Sequence, residues 1–156
     1  MKTELNYKIK DEIETNDWQE LRFDNAVCFN PKRTIKKGQV TKFVAMNDIE
    51  PFNKKVSSFV NKNFNGGSKF KNGDTIMARI TPCLENGKTA FVDFLDQDEV
   101  AGGSTEFIVL SGKDGISDSN YVYYLAISPE IRETAIKAMT GTSGRQRVEN
   151  NKLMSH

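Results

Sequence analysis

Residues 70–95, FKNGDTIMARITPCLENGKTAFVDFL, read as a β-hairpin. In the first half, Ile76, Ala78 and Ile80 alternate with Thr75, Met77 and Arg79, the period of two expected of a strand with one buried face. A second run, Thr89 to Leu95, sets Ala90, Val92 and Phe94 on one side. Between the two stands Asn86-Gly87, a dipeptide suited to a type I′ turn because both central residues need positive φ. Arg79, Thr81, Glu85, Asn86 and Lys88 surround that tip. Such donors and acceptors suit a base edge or a phosphate, and equally a solvated turn.

Working outward, 156 residues with 37% apolar and 10% aromatic content fit one folded domain with a real core. No apolar run approaches the roughly 18 residues needed to span a bilayer. The charged start MKTELNYKIKDEIE lacks the apolar segment of a secretion signal. Two distant cysteines, Cys28 and Cys83, form no metal or redox spacing. These features predict a cytoplasmic globular domain with no membrane contact.

Net charge is only +1, but its distribution is uneven. Residues 1–29 carry a balance of −3, residues 30–90 a balance of +8, and residues 91–156 a balance of −4. A basic middle between acidic ends is the footprint expected of a face that meets phosphates, provided the block maps to one surface. Lys32-Arg33 and Lys36-Lys37 lie in one basic turn, and Lys69 and Lys71 stand just before the hairpin.

The rest of the chain reads as alternating strands and turns, then helices. Residues 1–16 are expected to form a polar arm, and Trp18 to anchor in the core against a strand at Glu20–Phe23. Further strands are predicted over Thr41–Ile49, Val56–Val60 and Glu106–Leu110. Ser117 or Asp118 caps a helix in which Tyr121, Tyr124 and Leu125 share a face. Ser128-Pro129-Glu130 opens a second helix, whose stripe of Ile131, Ala135, Ala138 and Met139 faces the core and which ends at Gly141. Then comes TGTSGRQR, residues 140–147, with no apolar side chain. Its hydroxyls and backbone N–H groups suit phosphates, while Arg145, Arg147 and Gln146 suit base edges; Thr142 and Ser143 complete the set. A helix cap followed by a solvated linker has the same composition.

Catalytic chemistry is missing. The single histidine is His156, the last residue, so histidine acid–base chemistry and His–Cys metal clusters are not expected. Asp74 and Glu85 are the one carboxylate pair to weigh for a metal-dependent nuclease, with turn roles the simpler assignment. The sequence therefore predicts no catalytic residue, no metal and no cofactor.

Four segments carry a family resemblance: FNPKR from Phe29, GGSKFKNGDTIMARITPCLENGKTAFVDF from Gly66, GGSTEFIVL from Gly102, and YVYYLAISPEIRETAIKAMTGTSGRQRV from Tyr121. In this order they closely resemble a target recognition domain of the specificity subunit of type I restriction–modification enzymes. The resemblance implies a single α/β (α+β) domain with a twisted, mostly antiparallel sheet and a few flanking helices. It divides the chain into an arm at 1–16, a DNA target recognition domain at 17–149, and a truncated tail at 150–156 lacking the family's spacer helix. It also implies a non-catalytic module that reads one half-site of double-stranded DNA, with methyltransferase (modification) subunits and a restriction subunit as partners. The residues assigned to DNA are Lys36, Lys37, Lys69, Lys71, Arg79, Thr81, Glu85, Asn86, Lys88, Thr142, Ser143, Arg145 and Arg147. Since the family continues past Val148–Leu153 and carries a second recognition domain, the alternative is a truncated interaction protein that binds methyltransferase or specificity subunits and modulates their assembly.

Overall fold

The computed structural model describes residues 19–156. The expectations for the arm at 1–16 and for Trp18 lie outside them. Ten short strands and four helices are found among the described residues. One sheet holds β1 (Val27–Phe29), β5 (Thr75–Ala78), β6 (Thr89–Phe91) and β8 (Phe107–Gly112), in the spatial order β1-β8-β5-β6 and antiparallel throughout. The second holds β2 (Val40–Val44), β3 (Val60–Asn63), β4 (Ser68–Phe70) and β7 (Ala101–Gly103), ordered β3-β2-β7-β4 with one parallel pair, β2 and β7. A two-stranded ladder joins β9 (Met139–Thr140) to β10 (Arg147–Val148). The helices are α1 (Phe23–Ala26), α2 (Ser119–Ala126), α3 (Pro129–Lys137) and α4 (Asn150–Met154). The fold is thus α+β and mostly antiparallel, as expected, but its strands divide between two sheets.

Residues 75–78 were expected to bury one face and instead bury both. Thr75, Ile76, Met77 and Ala78 are each 0% exposed. Alternate side chains of a strand point to opposite faces, so β5 and β8 feed two cores. Met77, Ile108 and Leu110 pack with Val122, Ile131, Ala135, Val148 and Leu153 of the helical side. Ile76, Val109 and Ala90 pack with Val44 and Phe70 of the second sheet and with Ile49, which follows the 3₁₀ turn after β2. A strand with cover on both sides cannot show a simple apolar–polar alternation.

The hairpin exists, but not with the expected turn. Thr75 pairs with Phe91, Ile76 with Ala90 and Met77 with Thr89, and Ala78 N–H donates to the Lys88 carbonyl at 3.0 Å. That register leaves residues 79–87 as the connection. Its backbone is wound into helical turns, with Leu84 N–H on the Ile80 carbonyl and Lys88 N–H on the Cys83 carbonyl. A type I′ turn needs positive φ at two residues; here Gly87 has it at 76° and Asn86 does not. Gly87 also leaves room for the exposed Phe52 ring, which a Cβ there, 2.5 Å away, would push aside.

Elsewhere the differences are local. Glu20–Phe23 is not a strand; Phe23 opens α1 and packs edge-on against Phe29 at 5.0 Å. Residues 41–49 divide into β2 and a 3₁₀ turn at Met46–Asp48, where Asp48 accepts the Ala45 N–H. The strand expected at Val56–Val60 begins only at Val60, and Val56 makes a single bridge to Ile49. Asp118 caps α2 as expected, but the helix buries Val122, Tyr123 and Ala126, while Tyr121 and Tyr124 are exposed. Ser128 caps α3, which buries Ile131 and Ala135 and stops at Lys137 rather than Gly141, because Met139 and Thr140 pair as β9. No helix among the described residues is long and apolar enough to cross a membrane.

Candidate nucleic-acid interface

The two segments singled out in the sequence, some sixty residues apart, are brought together. Val148 N–H donates to the Arg79 carbonyl at 2.8 Å and Thr81 N–H to the Gln146 carbonyl at 3.0 Å, with Ile80 bridging Arg147. The ladder Thr140↔Arg147 and Met139↔Val148 holds residues 141–146 out as a tip. Gly141 and Gly144 take positive φ, 124° and 76°, which lets so short a tip close. Arg145 N–H on the Thr142 carbonyl, at 2.9 Å, completes the turn.

The side chains of the two segments differ in what they already bond. Thr142, Ser143 and Arg145 are exposed, and no hydrogen bond from their side chains is found among the described residues. Arg147 is held by Glu106, its Nε at 2.9 Å and its Nη2 at 2.8 Å. Hydrogen bonding to that carboxylate raises the guanidinium further above its usual value. In the other segment Arg79 Nη2 donates to the Val148 carbonyl at 3.0 Å, and Thr81 Oγ1 to Glu85 Oε1 at 2.7 Å. Lys88 Nζ donates to the Met46 carbonyl at 3.1 Å. Of the five residues assigned around the hairpin tip, Asn86 is the exposed one.

The lysines do not form one patch. Lys69 is half-buried, with Nζ 5.6 Å from the Phe64 ring centre, and lines a cleft together with Lys32, Arg33 and Arg79. Lys71 is exposed and lines a neighbouring hollow. Lys36 and Lys37 are exposed beside Gly38, whose N–H ties their turn to the Phe64 carbonyl; they do not line the cleft.

Arg33 and Ser68 belong to the cleft without having been assigned to DNA. The signal for Arg33 was its place in FNPKR and in the basic turn with Lys32, Lys36 and Lys37; for Ser68 it was its place in GGSKFK, beside Lys69. Asn30 positions the turn, with φ at 44°, its N–H on the Val109 carbonyl at 2.6 Å and its Oδ1 accepting the Val109 N–H at 2.9 Å.

The carboxylate pair weighed for a nuclease is not assembled. Asp74 sits before β5, accepting the Lys71 N–H at 2.9 Å and pairing with Arg33 at 3.2 Å. Glu85 lies in the connection beyond the other end of that strand and faces Thr81. Burial raises the Asp74 carboxyl above its ordinary value, and the Lys71 N–H and Arg33 offset this only in part. Among the described residues, no group of three or more His, Cys, Asp or Glu is placed to hold a metal ion.

No family model matches the chain. The specificity subunit of the type I restriction enzyme EcoAI from Escherichia coli is 34% identical over 93 residues, covering 56% of this chain and 16% of its own. This chain thus spans about a sixth of that relative's length. The HsdS subunit of Thermoanaerobacter tengcongensis shares the fold with a TM-score of 0.70 at 18% identity, over 90% of this chain and 37% of that one. A chain from a structure of type I restriction–modification complex assembly and conformational transition gives a TM-score of 0.69 at 16% identity, over 86% and 36%. This chain is therefore similar in sequence to part of a specificity subunit of a type I restriction–modification system, and it shares its fold with part of another.

Proposed function

We propose that this chain is a DNA-recognition module that reads a few base pairs of one half-site for a type I restriction–modification complex, with no catalysis of its own. The observation that carries this reading is the meeting of the 141–146 tip with Arg79 and Thr81 at one edge of a rigid two-core scaffold. A tip with free hydroxyl, amide and guanidinium groups suits base edges, and cations beside it suit the sugar–phosphate backbone. The relatives' own descriptions, a specificity subunit and a complex assembly, point the same way.

The competing reading is a module that docks a modification or specificity subunit. It draws on an apolar groove on the helical side, where Leu21, Ile116 and Tyr121 stand 45%, 55% and 47% exposed.

Selection of bound duplexes from a random pool, at low and then physiological salt, tests the first reading. One short motif that survives added salt is the expected result. No binding at low salt, with co-purification of a modification subunit, would replace it with the docking reading.

A further inference from the structure

The cleft between the Asn30–Arg33 turn and the start of β4 has chemistry that the scaffold does not use. Four cations line it, Lys32, Arg33, Lys69 and Arg79, with Ser68 and Thr105, and no carboxylate does. That concentration stands out in a chain whose net charge is +1. Among the described residues, Lys32, Lys69 and Arg79 have no ion-pair partner, and Arg33 meets one carboxylate, Asp74. More telling, Arg33 Nε, Arg79 Nε and Ser68 Oγ are shielded from solvent yet bond to nothing. Folded proteins rarely leave buried donors unpaired, and several in one place call for an acceptor.

Both guanidiniums are already fixed from one side. Arg33 Nη2 is held by Asp74 and Arg79 Nη2 by the Val148 carbonyl. Their remaining donors are therefore preorganised, the condition under which an arginine pair grips a tetrahedral oxyanion most strongly. Arg79 also belongs to the candidate interface, since its carbonyl receives the Val148 N–H. A group held in the cleft therefore lies one residue from the strand that carries the 141–146 tip.

We infer that this cleft is a preformed oxyanion subsite that takes one phosphodiester group of the DNA backbone and so fixes the register of the duplex against the tip. The inference rests on the DNA-recognition reading for its source of phosphate, though not for its chemistry. A phosphate contact of this kind positions without reading sequence.

The test uses the full chain, with Lys69→Gln and Ser68→Ala as variants because Arg33 changes would strand the buried Asp74 charge. Thermal unfolding is followed in rising inorganic phosphate at constant ionic strength. A saturable rise in midpoint is expected for the parent chain and a lost or weakened one for the variants; equal midpoints in phosphate and chloride would overturn the subsite. Duplex binding is then measured against salt. Lys69→Gln should weaken binding about tenfold on every sequence and reduce the salt slope by about 0.9, with the selected motif unchanged. An unchanged slope, or a changed motif, would remove the cleft from the DNA while leaving recognition by the tip intact. Phosphate binding by a chain that binds no duplex would overturn the DNA source and assign the cleft to a free phosphate compound.

Discussion

Residues 79–87 and 141–146 are both polar connections, they touch each other, and each suggested DNA contact on composition. Their bonding separates them. In the first, Arg79, Thr81 and Glu85 bond within the protein, and Leu84 at 1% exposure pins the segment into the helical core. In the second, Thr142, Ser143 and Arg145 are exposed. Residue type gives capacity to bind; only the list of partners tells which capacity is still available. The first segment is a platform and the second is what it presents.

That division can be broken by substitution. Leu84→Ala should cost about 3 kcal/mol in urea unfolding, as buried leucines do; a loss under about 1 kcal/mol would mean that the platform is not anchored there. Arg79→Met should cost about 2 kcal/mol, since the Val148 carbonyl loses a charged donor, and duplex affinity should fall with it. Thr81→Val should cost about 1 kcal/mol by removing the bond to Glu85.

Asp74 gives a pH signature on the same platform. Its carboxyl is raised in the fold, so it binds a proton more readily folded than unfolded. Its contribution to stability is present below the ordinary value of 3.8 and is lost as pH rises through the folded value. Asp74→Asn should flatten the stability–pH curve over that interval, read from urea midpoints; a curve parallel to the parent's would contradict the shift.

The smallest effect on stability belongs to the tip. Arg145→Ala and Ser143→Ala should leave the unfolding midpoint within about a degree of the parent. Their effect should fall on the selected DNA motif, relaxing preference at one position for Arg145→Ala. A large loss of stability would make the tip part of the scaffold.

The sequence showed most of the elements and the meeting of chemistries, but not the partners. Ser128-Pro129 marked the start of α3, and Asp118 the cap of α2, because capping is local. The alternation at 75–80 suggested one buried face, because nothing in one strand reveals a second sheet against it. Asn86-Gly87 suggested a tight turn, while the register was set instead by pairing of Met77 with Thr89 and by the room that Gly87 leaves for Phe52. Arg33 and Ser68 went unassigned for the same reason: they stand 35 residues apart along the chain, and only the fold brings them to one cleft.

Strand order also has a consequence for synthesis. Only β2 with β3, β5 with β6 and β9 with β10 can pair soon after they are made. β1 must wait for β8, with Val27 opposite Gly112, and both β2 and β4 wait for β7. Because distant pairings close large loops before they gain contacts, most of the second sheet stays unformed until residue 103, and most of the first until residue 112, has left the ribosome. The 141–146 tip then docks on residues 79–81, made some sixty residues earlier. The surface proposed to meet DNA is made after the strands it rests on, so a nascent chain cannot present it before the scaffold beneath has closed.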